Sequence, residues 1–281
     1  MRLLTIAILT IPILYQVGCS PMRYLCNYTL KDWPRYASYT TAKKPPLPPN
    51  QSIKVVSYNI KHGKKVNKAL KLLKDNGLDN ADIILAQELT PNAVLAISEN
   101  LGYNYIYYPA ILHPVLKQDF GNAIFSRWPI LNDEKIILPH LKSRRRQRIA
   151  IKATVLINEK KVTVYSLHMG IFIKPDDRKR LVDIIIKPLP RDSNYFIIGG
   201  DFNSFTRKDR QLITEAFKDE GFDLASQDLG WTYKQWYLFN RKVALDHIFT
   251  KNMETVAQGK IESPKPSDHI PIWVDLNFLE N

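Results

Sequence analysis

Cysteine is almost missing from this chain: two among 281 residues, Cys19 and Cys26, both ahead of the stretch that reads as a folded domain. That excludes a disulfide framework and a thiolate zinc site within the domain. Acidic residues are also scarce, with 27 Asp and Glu against 40 Lys and Arg, a formal charge of +13. Such a bias fits nucleic acid, anionic headgroups or a phosphorylated substrate, and equally a soluble protein that is merely basic. Internal repeats are absent, which excludes a solenoid. The apolar run at residues 3–15, after Arg2, contains Pro12. It is short of the ~20 residues that a spanning helix needs. The whole chain is 45% hydrophobic, enough for a core, and its length fits one large domain or two small ones.

The N-terminal run has the shape of a secretory signal peptide, expected over residues 1–18. Val17-Gly18-Cys19 resembles the lipobox of bacterial lipoproteins, in which the cysteine is lipidated and becomes the new N-terminus. Gln16 departs from it, standing where that family usually has Leu. The alternative is an ordinary signal peptide with Cys19 and Cys26 as bystanders. Residues 19–50, ending in Pro45-Pro46-Leu47-Pro48-Pro49, read as a tether to a domain over residues 51–281. The expectation is an exported bacterial protein held at a membrane through lipid on Cys19, or else a periplasmic or secreted one.

Within the domain, alternating or continuous apolar patterns predict strands at 53–59, 82–86, 103–108, 122–126, 148–157, 161–167, 195–199, 243–250 and 272–278. Helical spacing predicts helices at 64–76, 91–100, 176–186 and 207–218. Strands and helices interleave, yet Asn158-Glu159-Lys160 makes a hairpin, so the sheets are expected to be mixed. Two packed sheets with helices on the outer faces fit this count.

Several strands end in residues able to hold a metal or a phosphate: Asn59, Glu88, His168, Asp201 and Asn203, with Ser267-Asp268-His269 ahead of the last strand. Strand ends can gather distant residues into one site. An oxygen-rich set without cysteine suits Mg²⁺ or Mn²⁺ better than zinc. Each residue also has a plain structural reading. Asp201 and Asn203 could form a turn after a strand, Glu88 could be an exposed acid, and His168 a structural histidine. Asp246 lies inside an apolar strand pattern, so it needs a cation, and a protonated His269 would serve. His247 points to the opposite strand face and reads as structural. His62, His113 and His140 carry no argument.

Taken in order, Ser57-Tyr58-Asn59, Gln87-Glu88, Gly121 to Arg127, Leu167-His168, Gly200-Asp201-Phe202-Asn203, Leu245-Asp246-His247-Ile248 and Ser267-Asp268-His269 resemble the motifs of the endonuclease/exonuclease/phosphatase superfamily. The resemblance implies a four-layered α/β sandwich and metal-dependent hydrolysis of phosphoesters. It implies Glu88 as the principal Mg²⁺ ligand, with Asn59 and Asp268 nearby. It gives Asp201 the attacking water, and gives Asn203, His168 and Arg127 the phosphate oxygens. His269, paired with Asp246, becomes a base or a charge stabiliser, and whether it or Asp201 takes the proton stays open.

The chain lacks the aromatic-cysteine-aspartate-arginine signature of inositol phosphatases. Leu89-Thr90-Pro91 replaces the extension after Glu88 usual in apurinic-site enzymes. The run Lys142–Arg148, with Arg144, Arg145 and Arg146, is either a solvated loop or a polyanion contact. The aromatics Trp231, Tyr233, Trp236, Tyr237 and Phe239 could be core, a base-stacking platform or a membrane contact. The expected function is a monomeric Mg²⁺-dependent phosphodiesterase with nucleic acid as the favoured substrate. A phospholipid or sphingomyelin phosphodiesterase, or a small-phosphoester phosphatase, is the alternative. A binding module with a decayed site is the non-enzymatic one.

Overall fold

The computed structural model describes residues 27–39, 51–139, 146–171, 173–187, 189–190, 193–234, 241–263 and 265–279. The expected signal peptide, Cys19, Arg144, Arg145, His140, Trp236, Tyr237 and Phe239 lie outside these residues.

One sheet has seven strands: β1 (Tyr36–Ser38), β2 (Ile53–Asn59), β3 (Ile83–Leu89), β4 (Asn104–Leu112), β5 (Asp119–Ser126), β14 (Met253–Lys260) and β15 (Ile272–Phe278). Their order is β1-β4-β5-β3-β2-β15-β14. The other has six: β6 (Ile130–Leu138), β7 (Arg148–Ile157), β8 (Lys160–His168), β9 (Tyr195–Asp201), β10 (Asp223–Leu224) and β13 (Asp246–Lys251). Their order is β10-β13-β9-β8-β7-β6. A two-stranded ribbon joins β11 (Tyr233–Lys234) to β12 (Lys242–Val243).

Three apolar layers hold this together. Ile53, Val55, Ile83 and Leu85 of the first sheet pack against Ile151, Val164, Ile197 and Ile248 of the second. The outer face of the first sheet is covered by α1 (Val66–Asp75) and α2 (Pro91–Leu101), through residues such as Leu70, Leu73, Val94 and Ile97. The outer face of the second is covered by α3 (Pro175–Ile186) and α4 (Arg207–Asp219), through Leu181, Val182, Ile213 and Phe217. The result is the expected four-layered sandwich of helices, sheet, sheet and helices.

Local sequence explains the element ends. Pro91 opens α2, and Gly102 closes it with a left-handed φ of 65°. Thr206 and Asp209 cap α4 reciprocally. Asn158 and Glu159, at φ 44° and 68°, make the tight β7–β8 hairpin turn.

Three differences from expectation have physical causes. The strand expected over 243–250 divides into β12 and β13, because Thr232 Oγ1 accepts the backbone N–H of both Leu245 and Asp246, at 2.9 and 3.0 Å. Strand β6 is hidden by the polar middle of Leu131-Asn132-Asp133-Glu134-Lys135, which breaks alternation, and β14 is polar at several exposed positions. The expected tether is not free throughout, since residues 27–39 lie on the domain. There β1 pairs antiparallel with β4, setting Tyr36 against Tyr107 and Ser38 against Tyr105. Tyr28 and Tyr36 donate to Asp119, and Arg35 forks onto Asp133.

Candidate active site

Two parallel strand pairs aim at one point. The first is β2 and β3, joined through α1; the second is β8 and β9, joined through α3. In the second pair His168 stands directly opposite Asp201, and Asp246 of β13 is Asp201's neighbour on the other side. Ser267 anchors the loop before β15 by donating to the Asn59 carbonyl at 2.8 Å. The strand-end residues singled out from sequence therefore do converge.

Asp201 is the centre. It is 2% exposed and accepts from the Asn203 backbone N–H at 2.9 Å and from the Asn59 side-chain amide at 3.1 Å. His168 Nε2 is 3.4 Å away and His269 Nε2 3.7 Å. Gly200 makes the approach possible: a Cβ there would collide with the Leu167 carbonyl, and its φ is +147°. Burial pushes the Asp201 pKa up; the His269 charge opposes that and the nearby Asp246 adds to it.

His269 lies between two carboxylates. Its Nδ1 is 2.8 Å from Asp246 Oδ2, which also accepts from Thr232 Oγ1 at 2.6 Å. Burial disfavours the imidazolium, but Asp246 and then Asp201 outweigh it and lift the His269 pKa to about 10. His269 is thus a buried cation donating to Asp246 and facing Asp201. The expected neighbours Asp246 and His269 are in contact. His168 is the opposite case: burial, then Arg148, hold its pKa well below the ordinary value. Neutral His168 accepts from Arg148 at Nδ1 (3.1 Å), which leaves its Nε2–H to face Asp201.

Glu88 sits in a break of the β3–β5 register with φ 60°. Gln87 is buried and donates to Ser166 Oγ of the opposite sheet and to the Leu85 carbonyl, each at 3.1 Å. With Gln87 pinned between the sheets, the bulged backbone turns Glu88 toward the cleft. Asp268 is near the same cleft, with Lys61 Nζ 2.8 Å from its Oδ2. Asn59 joins the two groups, since its Oδ1 accepts from the Lys61 N–H at 3.1 Å.

Sequence reasoning missed four contributors. His62, at φ 63°, brings Nε2 to 3.5 Å from Glu88. Arg148, read only as the end of a run that is either a solvated loop or a polyanion contact, turns inward to His168 and feels both Glu88 and Asp201. Thr232 fixes Asp246. Arg178 is 1% exposed and ties the loop after β9, donating to the carbonyls of Phe202 and Asn203 at 2.9 and 2.8 Å and to Asp209 at 3.0 Å. A buried arginine among the charges of the helix expected over 176–186 left no signal in the sequence pattern.

Other expectations need correction. Arg127 is not at the site. It donates to the Asn80 carbonyl at 2.8 Å, at the start of β3, whereas Glu88 is at that strand's far end. The strand rise of ~3.3 Å per residue separates them by about 20 Å. Asn203 does not present a free amide to a phosphate; it donates to the Met169 carbonyl at 2.9 Å and supports Asp201. Arg146 is at the rim, 3.3 Å from His113, whose ring is 5.1 Å from that of His62. His247 is structural as expected, 3.0 Å from Ser204 and packed on Phe202.

Two groups could hold a divalent ion. Asp201, Asp246 and His269 place ligand atoms within 4.8 Å of one another. His269, however, uses both nitrogens as donors when charged and has no lone pair to offer. Glu88 and Asp268 are carboxylates beside positive or protonatable side chains, His62 and Lys61 respectively, and with the Asn59 amide they offer the hard oxygens that such an ion prefers.

A search of curated proteins by sequence found no match. Among solved structures, an endonuclease/exonuclease/phosphatase family protein from Leptotrichia buccalis superposes with a TM-score of 0.65 at 20% identity, covering 81% of this chain and 100% of its own. A mannosyl-6-phosphatase from Bacteroides thetaiotaomicron gives 0.62 at 21%, covering 81% and 100%. D. rerio TDP2 complexed with a single-strand DNA product gives 0.64 at 17%, covering 80% and 99%. At these identities the likeness establishes the fold. The sequence profile of one family matches residues 56–269, which include every strand-end residue above, and the chain therefore belongs to the endonuclease/exonuclease/phosphatase family.

Proposed function

We propose that this protein is a Mg²⁺-dependent phosphodiesterase, with Mn²⁺ as a substitute and nucleic acid as the favoured substrate. The observation that carries the reading is the buried line Asp246–His269–Asp201, in which a cationic imidazole is fixed by one carboxylate and faces another. A phosphodiester is already anionic, so its hydrolysis calls for positive charge at the phosphoryl oxygens and an aligned water. His269 and Arg148 supply fixed positive charge in a buried setting. Asp201, with its pKa raised toward neutrality, takes the proton of the attacking water, because His269 already carries one. Asp246 and Thr232 hold His269; Asn59, Asn203 and His168 hold Asp201. Glu88 and Asp268, with Asn59, would hold the ion, which when bound supplies further positive charge for the phosphoryl group.

Relatives in the fold include a phosphatase and a protein captured with a DNA product, so the substrate is the open element. Nucleic acid is favoured by the +13 charge and by Arg146 standing at the rim next to His113 and His62. The deciding experiment is a substrate panel with Mg²⁺: plasmid DNA, RNA, sphingomyelin and inositol phosphates. Nicking of plasmid is expected, abolished by EDTA and restored by Mg²⁺ or Mn²⁺. Full activity in EDTA refutes the metal, and cleavage of sphingomyelin alone moves the assignment to lipid. Replacing Arg144, Arg145 and Arg146 by Ser should flatten the salt dependence of DNA binding, by a log–log slope of about 0.9 per lost phosphate contact. Export with lipid on Cys19 belongs to the same proposal, and mass spectrometry of the mature N-terminus tests it.

A further inference from the structure

The docked segment 27–39 has an end-to-end direction that matters. Asn27 bridges to Ile111 and its side chain accepts from the Gln147 N–H at 3.0 Å, next to Arg148 of the catalytic cleft and Arg146 of its rim. Ser38, at the other end, pairs with Tyr105, toward the side of the sheet remote from the cleft. The chain therefore enters the domain at the mouth of the active site. From Cys19 to Asn27 is eight residues, a reach of at most about 29 Å even fully extended. The apolar run at 3–15 lies only a few residues further back.

The surface at that entry is unusual for this protein. Of the large apolar residues left exposed, Leu30 (64%) and Trp33 (60%) are on the docked segment and Leu112 and Val115 (76%) are on the rim loop, while Tyr36 and Tyr39 are exposed toward the segment's far end. Lys31 and Asp32 on the docked segment and Lys117 on the loop are exposed, as is Arg146 at the rim. Trp and Tyr among basic residues are what the headgroup region of a bilayer accommodates. The segment is also fixed firmly to the domain, since buried Lys135 donates to the Trp33 carbonyl at 2.6 Å and Arg35 is held on Asp133.

We infer that residues 27–39 and the rim loop 112–117 form a face that docks on an anionic phospholipid surface, holding the catalytic mouth against the membrane to which lipid on Cys19 would tether the chain. The lipid surface is where the enzyme works, whichever phosphodiester it cuts. The placement rests on the exposed apolar residues and on the short reach from Cys19 to Asn27; the chemistry rests separately on the cleft, and the test keeps the two apart.

The test uses the full chain with vesicles of phosphatidylcholine, with and without phosphatidylglycerol. Brominated phospholipid should quench Trp33 fluorescence, as the difference between wild type and Trp33→Phe, and phosphatidylglycerol should strengthen the effect. The double variant Leu30→Glu, Val115→Glu should partition to vesicles about tenfold more weakly, the loss expected for two interfacial apolar side chains. It should hydrolyse soluble bis-p-nitrophenyl phosphate at the wild-type rate. A chain that floats with vesicles while Trp33 is unquenched and the double variant is unchanged overturns the inference. So does a chain that never floats, and so does lipid-free self-association broken by the same two substitutions. In each of those cases hydrolysis of the soluble ester leaves the proposed function standing; absence of that hydrolysis alone would count against the chemistry and not against the docking.

Discussion

The two parallel strand–helix–strand units, β2-α1-β3 and β8-α3-β9, deliver their polar residues to one cleft in different states. The first brings Glu88 to a partly open position, with the side chains of Lys61 and His62 around it and its neighbour Asp268. The second brings Asp201 and His168 to full burial, where every polar partner is fixed and both pKa values are displaced. Partial exposure suits a group that must exchange ligands. Burial suits a group whose proton affinity must be set in advance. The division of labour comes from how deep each strand end sits, since both units use the same parallel geometry.

The largest effect is expected from Asp201→Asn, a near-isosteric change that removes the proposed proton acceptor. Turnover should fall about 10³-fold with the fold intact, measured on any substrate the panel identifies. Its stability should move the other way. A carboxyl whose folded pKa is raised above the unfolded value of ~4 is a burden above that pH, growing until the folded pKa is passed. The Asn variant should therefore melt higher than wild type at pH 8, with the advantage shrinking toward pH 4. An unchanged difference across that range would show that Asp201 is not desolvated as described. His269 is coupled with the opposite sign: its raised pKa stabilises below ~6.5, and that contribution fades as pH rises through about 10.

Next in size is Glu88→Gln, expected to lose about 10²-fold at fixed Mg²⁺, the scale of a weakened metal site. The loss should be partly recovered at higher Mg²⁺, whereas Asp201→Asn should show no such recovery. Equal behaviour of the two variants in a metal titration would erase the distinction between the units. Arg178→Met should cost about 3–5 kcal/mol of stability by leaving Asp209 buried without its partner, and should lower turnover through the loosened Phe202-Asn203 loop. Denaturant unfolding and kinetics read these separately. The smallest effect belongs to Arg127→Ala, which should change turnover less than about twofold, since its contacts are at the opposite end of β3.

Where the sequence was legible, the reason was local chemistry. Apolar runs ending in Asn59, His168 and Asp201 could only be buried strands with polar tips, and they are. A carboxylate inside an apolar pattern demanded a cation, and Asp246 has His269. Proximity that depends on backbone shape stayed hidden. Lys61 and His62 reach the cleft through left-handed φ values of 39° and 63°, which their residue types do not advertise. Arg148 differs from Arg146 only in facing inward from the start of β7, a matter of register. Arg127 was misplaced because it closes a motif whose other end, Gly121, is toward the cleft, although five strand residues, 122–126, lie between. The docked segment 27–39 was unreadable because its fixings are scattered polar pairs across some ninety positions of sequence, without a period.

That segment also closes an edge. Strand β4 of the seven-stranded sheet would otherwise show its outer backbone groups to solvent, along a row that contains Tyr105, Ile106 and Tyr107. Asp119 and buried Lys135 would lose the partners that Tyr28, Tyr36 and Trp33 supply, and Asp133 would keep Tyr108 but lose Arg35. An exposed edge of that length is a template for pairing with another chain. A shortened protein that begins at residue 51 would keep its whole catalytic cleft and yet be prone to aggregate, so the natural starting point for a soluble fragment is Asn27.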